Sequence, residues 1–353
     1  MKIVQIVPLL PPPFEGVGTY AIALAGALAR RQGMETRFVV GDPAWHGGAD
    51  GAGAVPARSA ADLLAAIGED RTVLLHYANY GYQPRGCPHW LVEGLRRWHA
   101  RGGGRRLATL FHEVCASGPP WRSSFWLRPV QRRLAARMVR ASDALATTLE
   151  SYGALLRLWA GEREIAVMPV FSTVGEPATV PPLSGRARRI VVFGGAGIRR
   201  RAYGRFLPAL AATVRALAAA EICDTGPAIA LPAAVGGVPV RALGVLPPGE
   251  VEDLLLGSTA GFLAYPPAYL PKSTIFAAYC AHGVMPVCAS SQRDDRGPLV
   301  PGEHYLPPGP ALPSGEAELQ AVAGRARAWY LEHSLERQLA SFHRMVSGGE
   351  AAR

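Results

Sequence analysis

The feature that most constrains this chain is a pattern that occurs twice. A short apolar run, a glycine-rich turn and an alanine-rich helix appear over Lys2–Pro8, Gly16–Gly18 and Thr19–Arg31. The pattern restarts with Arg189–Phe193, the turn GGAGIRRRAYG and Phe206–Ala220. Apolar runs rich in Val and Ile are expected of parallel strands buried on both faces. A strand that enters a helix through a Gly turn opens a doubly wound α/β sheet. Between the two copies, Ser172–Arg188 is rich in Pro, Gly and Ser and has no periodicity, so it reads as a linker. The expectation is an α/β chain of two Rossmann-like domains, 1–171 and 189–325, joined by 172–188. Residues 326–353 form a closing helix, part of a long helical tail over Glu316–Met345.

Within the first half, further strands are expected at Thr36–Val40, Thr72–Tyr77, Arg105–Phe111, Ala144–Thr148 and Ile165–Pro169. Helices are expected at Ser59–Gly68, Cys87–Ala100 and Ser151–Trp159. In the second half, Ala228–Leu231, Val238–Ala242, Gly261–Tyr265 and Val284–Ala289 read as strands, and Pro248–Leu256 as a small helix. Ligands of open parallel sheets bind beyond the carboxyl ends of the strands. Two candidates stand there. His112 and Glu113 follow Arg105–Phe111, and a His–Glu pair suits acid–base or orienting work, or it caps the strand end. Lys272, Ser273 and Thr274 open the apolar helix that stops at Gly283. Free N–H groups and the positive dipole end favour an anion there, and the alternative is an N-cap beside a solvated Lys. Of the 37 basic Lys and Arg residues only Lys2 and Lys272 are lysine, which makes the second conspicuous.

Composition sets limits on function. Hydrophobic residues make up 49% of the chain and charged residues 18%, which excludes a disordered protein. The net charge of +10 suits an anionic partner, but Arg usage of this kind also follows from a biased genome. The aromatics are not interleaved with Arg, so no nucleic-acid partner is expected. The five cysteines have no CxxC pair or metal-ligand spacing, as expected of reduced thiols in the cytoplasm. No signal peptide and no apolar run of about 20 residues is present, so a soluble protein is expected. Trp126, Val130, Leu134 and Met138 form a stripe amid arginines. The helix carrying it packs on the sheet, or it lies on an anionic membrane at the inner face.

The ordered segments PPPFEGVGTYAIALAGAL, TLFHE, SDALATTLESYGALL, RIVVFGGAGIRRRAYGRF, GVLPPGEVEDLLLGSTAGFLAYPP and KSTIFAAYCAHGVMPVCAS resemble the retaining glycosyltransferases of the GT-B fold, notably glycosyltransferase family 4. The resemblance is distant and spans nearly the whole chain. It implies two Rossmann-like domains facing a cleft, with the C-terminal helix packing back on the first. It implies sugar transfer from a nucleotide diphospho-sugar to an acceptor hydroxyl with retention. No metal and no cofactor beyond that substrate are implied. His112 and Glu113 would be catalytic. Arg199, Arg200, Lys272, Ser273 and Thr274 would bind the donor diphosphate. Gly16, Val17 and Gly18 would face the phosphates or the acceptor. The chain departs from the pattern where the family carries two glutamates, at Leu270 and Ala278, and where it carries an Arg, at Gly195. These departures raise a second reading, a degenerate member that binds a nucleotide or partner without turnover. A nicotinamide enzyme is disfavoured because neither Gly turn gives GxGxxG. The acceptor and the oligomeric state are not legible.

Overall fold

The computed structural model describes residues 1–11, 16–42, 44–45, 47, 53–116, 118, 120–292, 297–309, 312–313 and 315–349. Residues 12–15, just before Gly16–Gly18, and residues 43, 46 and 48–52 lie outside the described residues, and Gly16–Gly18 form the first turn of a helix rather than a separate turn before it. The chain divides into two compact units, Met1–Pro169 with Leu335–Arg353, and Val170–Ser334.

The first unit runs β1 (Lys2–Val7), α1 (Gly16–Gln32), β2 (Glu35–Val40), β3 (Val55–Pro56), α2 (Ala60–Ile67), β4 (Thr72–Tyr77), α3 (Asn79–Tyr82), α4 (His89–Ala100), β5 (Arg106–Phe111), α5 (Ser123–Ala141), β6 (Ala144–Thr147), α6 (Glu150–Ala160) and β7 (Ile165–Val167). Its seven strands are all parallel, in the order β3-β2-β1-β4-β5-β6-β7. The strand order reverses between β1 and β4, which makes their carboxyl ends the switch point. Five of the six residues of β1, β4 and β5 are buried in each case. That continuity explains why the strands were legible as apolar runs.

The second unit runs β8 (Ala187–Phe193), α7 (Ala196–Tyr203), α8 (Leu207–Ala216), β9 (Glu221–Thr225), β10 (Ala234–Val235), β11 (Val238–Gly244), α9 (Pro248–Leu256), β12 (Ser258–Ala264), a 3-10 turn over Pro267–Lys272, α10 (Thr274–Ala281), β13 (Met285–Ala289) and α11 (Glu316–Leu331). Its sheet order is β10-β11-β9-β8-β12-β13, with the switch point between β8 and β12. Only β10 is antiparallel. The strand expected over Ala228–Leu231 does not form. The pairing is made instead by Val235 and Val238 across Gly236 and Gly237, whose φ of 63° and 92° fit a two-residue hairpin turn.

The helical tail is two helices. α11 packs in the second unit against α10 and β13, whereas α12 (Leu335–Ser347) packs in the first against α1, β4 and β5. Leu339, Phe342, Met345 and Val346 bury one face of α12, and Arg106 Nε donates to the Met345 carbonyl at 2.7 Å. The expected linker is tied down within the second unit. The Ser172 N–H donates to the Tyr330 hydroxyl at 2.8 Å, and the Leu183 N–H donates to Gln320 Oε1 at 2.8 Å. No helix among the described residues is long and apolar enough to cross a membrane.

Candidate functional site

In the first unit the sequence-selected histidine sits where a ligand is expected. The His112 and Glu113 N–H groups both donate to the Tyr77 carbonyl, at 2.9 and 3.2 Å, which fixes them at the carboxyl ends of β4 and β5. His112 is buried, and its ring lies edge to edge with that of His76 and nearly coplanar with it, with centroids 5.4 Å apart and planes 18° apart. His112 Nε2 lies 3.1 Å from His76 Nδ1. His76 Nε2 lies 2.8 Å from Gln5 Oε1, and Gln5 Nε2 donates to Thr36 Oγ1 at 3.3 Å. Tyr20, on the second turn of α1, stands edge-on to both imidazoles at 6.0 and 5.3 Å. Burial lowers the His76 pKa to about 3, so His76 is neutral at ordinary pH. Sequence reasoning missed Gln5, Thr36, Tyr20 and His76. The available signal was a single polar residue inside each of two otherwise apolar buried strands, KIVQIV and TVLLHY.

The neighbouring loops are held rigidly. Gln131 of α5 accepts from the Ala116 N–H at 2.8 Å and donates to the Tyr80 hydroxyl and the Arg85 carbonyl, each at 3.1 Å. One buried amide thereby joins the segment after β4 to the segment after β5. Gly18 has a packing role: a Cβ there would stand 2.1 Å from the Leu9 carbonyl oxygen, so the glycine lets α1 approach its own chain. A Cβ on Gly16 would meet nothing within 4 Å, so this glycine is the one with space beside it. Val17 lies between them on the first turn of α1.

In the second unit the carboxyl ends of β8 and β12 bring together the starts of α7 and α10. Gly194 has φ 118°, and a Cβ there would strike the Ile275 side chain at 2.4 Å. This close approach seats the two helix starts side by side. Gly195 caps α7 without a side-chain hydrogen bond. Tyr279 clamps α10 to the sheet, donating to the Val191 and Phe262 carbonyls at 2.9 and 3.2 Å across Gly261. Lys272 is half-buried at the end of the 3-10 turn, with Nζ 5.9 Å from the Tyr269 ring centroid. At the carboxyl ends of β12 and β13, Arg201, Arg205, Tyr265, Ser290 and Ser291 line a cavity of about 190 Å³.

Two sequence expectations change here. Arg199 is not a surface phosphate ligand: it is 2% exposed, it pairs with buried Asp224 through both carboxylate oxygens, and it donates to the Pro227 carbonyl. Arg200 and Arg201 are the arginines of this turn that reach solvent. The Ser273 hydroxyl is the N-cap of α10 and accepts from the Phe276 N–H at 3.2 Å, so the cap reading holds for that side chain. Thr274, the first residue of α10, remains half-exposed. Leu270 and Ala278, the positions that depart from the family pattern, are fully buried.

Two doubly wound units in one chain, with the last helix returned to the first, define the GT-B fold. Solved structures agree along nearly the whole length. WaaG, a glycosyltransferase involved in lipopolysaccharide biosynthesis, matches with a TM-score of 0.56 and 12% identity over 98% of this chain and 100% of that one. HepE of Anabaena in complex with UDP-glucose matches with a TM-score of 0.57 and 13% identity over 97% and 99%. An α-glucosyltransferase in complex with UDP and a 13-mer DNA containing an HMU base matches with a TM-score of 0.52 and 10% identity over 98% and 95%. Identities this low establish a shared fold. No protein-family model matches the chain, and no curated protein is similar to it in sequence.

Proposed function

We propose that this protein is a glycosyltransferase that moves a sugar from a nucleotide diphospho-sugar to an acceptor hydroxyl, with retention and without a metal. One observation carries the reading. The switch point of the second unit joins the start of α7, whose N-cap Gly195 brings no side chain, the start of α10 and the ammonium of Lys272, in a fold whose solved neighbours include structures with UDP or UDP-glucose. Departure of a nucleoside diphosphate builds negative charge on its phosphates. Backbone N–H groups, helix dipoles and the side chains of Arg200, Lys272 and Thr274 stabilise that charge. His112 lies in the other unit, at the sheet end suited to the sugar or the acceptor hydroxyl, with Glu113 beside it in sequence. Gly16 supplies uncrowded backbone at the start of α1.

The acceptor side is proposed to touch an anionic membrane. Trp121 and Trp126 are 83% and 71% exposed, with exposed Arg122 and Arg128 beside them, while Leu134 and Met138 of the same helix are buried in the core. Cosedimentation with phosphatidylglycerol vesicles tests this, and loss of binding is expected in Trp121→Ser/Trp126→Ser.

The reaction is tested by release of nucleoside diphosphate from UDP-, GDP- and ADP-sugars in the presence of EDTA. Lys272→Ala is expected to lower kcat/KM by ~100-fold, the scale of removing one donor to a developing anion. Nucleotide binding without release from any donor, with acceptors that include lipid, polysaccharide and DNA, supports the reading of a binding protein without turnover. The observation in favour of that second reading is the burial of Leu270 and Ala278, where no carboxylate is available. No thermal shift with any nucleoside diphosphate would sink the proposed donor site and leave only the partner-binding form of the second reading.

A further inference from the structure

The hollow of about 190 Å³ at the carboxyl ends of β12 and β13 lies wholly within the second unit. Ala264 and Ala289, the paired last residues of the two strands, line it with methyl groups only, which keeps it open. Arg201 and Arg205 line it from the end of α7. They are four residues apart, and the turn between them is closed by the Phe206 N–H donating to the Arg201 carbonyl at 3.0 Å. The Arg205 guanidinium lies 5.7 Å from the Phe206 ring centroid, a contact with the ring face that leaves its N–H edge available. Like charges at this spacing repel. Arg201, in the last turn of α7, also complements the negative end of the helix dipole, but Arg205 lies beyond the helix and has no such reason to be there. No carboxylate stands among the described residues that line the hollow. Ser290 Oγ, on the β13 side, accepts the Gln292 N–H at 3.0 Å, so its hydroxyl proton is left to donate.

We propose that this hollow receives a carboxylate borne by the sugar of the donor, so that the substrate class is a nucleotide diphospho-uronate. This rests on the reading of the second unit as the donor unit. Two guanidinium groups and a hydroxyl donor match one small anion, because the planar fork of Arg fits a carboxylate with two parallel hydrogen bonds. The volume is below the roughly 300–1,000 Å³ of sites that enclose a drug-sized ligand, so the hollow takes part of a substrate and not a whole nucleotide. Its position agrees. Arg201 lies six residues along α7 from the cap Gly195, where the phosphates are proposed to sit, which is about 9 Å at 1.5 Å per residue. The far side of a sugar ring joined to the second phosphate reaches a distance of that order. A neutral sugar there would leave both guanidinium groups without a countercharge.

Equilibrium binding to the full-length chain tests this with matched pairs that differ only in the oxidation of the sugar C6: UDP-glucose against UDP-glucuronate, and GDP-mannose against GDP-mannuronate. In the pair whose nucleotide binds, the acidic member is expected to bind about 10-fold tighter or more, the scale of a charge-assisted hydrogen bond. Arg201→Gln/Arg205→Gln keeps side-chain length and amide donors and removes the charge. It is expected to abolish the preference and to change affinity for the neutral member by less than about threefold. Arg205→Gln alone, outside the helix, is expected to reduce the preference and serves if the double variant does not fold. Equal affinities within each pair in the wild type overturn the proposal. So does a preference that survives the double variant, which would come from the overall positive charge of the chain. A double variant that weakens UDP or GDP as much as the uronate would mean that the arginines hold a phosphate, and the carboxylate site would fall. A wild type that binds neither UDP nor GDP, free or sugar-linked, overturns the donor reading itself and this proposal with it.

Discussion

The two units share a topology and treat buried polarity in opposite ways. In the first, the buried polar residues Gln5 and His76 lead toward the carboxyl ends of the strands and end on His112. In the second, the buried polar pair Arg199–Asp224 closes on itself, while Arg200 and Arg201 of the same helix are exposed and Lys272 is half-buried. The difference shows that a charged residue in a candidate loop is not thereby a candidate ligand. Its partner decides. Arg199 and Asp224 satisfy each other, with the Pro227 carbonyl taking a further N–H. His76 has partners on two sides, Gln5 and His112.

The largest expected effect tests the closed pair. Arg199→Ala leaves Asp224 buried without its countercharge, and the expected destabilisation is about 3–5 kcal/mol. The double substitution Arg199→Met/Asp224→Leu removes both charges and is expected to recover most of that stability, because no uncompensated charge remains in the interior. Urea unfolding of the two variants measures this. The comparison between the units breaks if the double variant folds normally and yet loses nucleotide binding as completely as Lys272→Ala does, since Arg199 would then be a ligand.

A second effect sharpens the comparison, because each unit also contains one deeply buried histidine. Burial lowers His76 to about 3 and His282 to about 4, the latter with Nδ1 against the Ala278 carbonyl at 2.8 Å. Both stay neutral in the folded protein at pH values where the unfolded chain, titrating near 6.5, takes up a proton. The unfolded state therefore binds more protons below that value, and stability is complete above about pH 6.5 and falls as pH drops toward 3 to 4. Between pH 7 and pH 5 each histidine is expected to contribute a loss of roughly 2 kcal/mol. If the units unfold in separate transitions, His76→Asn should flatten the acid dependence of one and His282→Gln that of the other. An unchanged slope in both would show that neither histidine titrates with unfolding.

These contrasts mark what a linear sequence can disclose. The strands were readable because parallel strands covered on both faces are written as unbroken apolar runs, and the two Gly turns fixed where each sheet begins. The break between α11 and α12 was hidden because apolar residues recur on both sides of His333 and Ser334, so the helical period gives no sign of a change of unit. The hairpin at Gly236–Gly237 did carry a signal, and the turn should have outweighed the short run Ala228–Leu231. At the site, His112 was readable as a polar residue at a strand end. Its partner was not, because the meeting of Gln5, His76 and His112 depends on β1, β4 and β5 lying side by side, which is a property of the sheet order. Arg199, Arg200 and Arg201 are equivalent as letters. Helical phase turns the first toward Asp224 and the next two outward.

The smallest expected effect concerns the stretch Lys272-Ser273-Thr274, which the sequence presents as a single anion grip. The structure separates its members. Ser273 spends its hydroxyl on the Phe276 N–H and is itself buried, so Ser273→Ala is expected to cost about 1 kcal/mol of stability. Ser273→Gly should cost only a few tenths of that, because glycine also suits the N-cap position. Neither change should weaken nucleotide binding once the folded fraction is accounted for. Lys272 is half-buried against Tyr269 and is not the N-cap of α10, so Lys272→Ala is expected to lower nucleotide affinity more than it lowers the urea midpoint. Thermal shift at saturating and sub-saturating nucleoside diphosphate, read beside urea titrations, resolves the two. Equal losses of affinity in Ser273→Ala and Lys272→Ala would mean that the serine hydroxyl leaves its cap when the anion arrives, and the division between a structural and a binding residue at this helix start would fall.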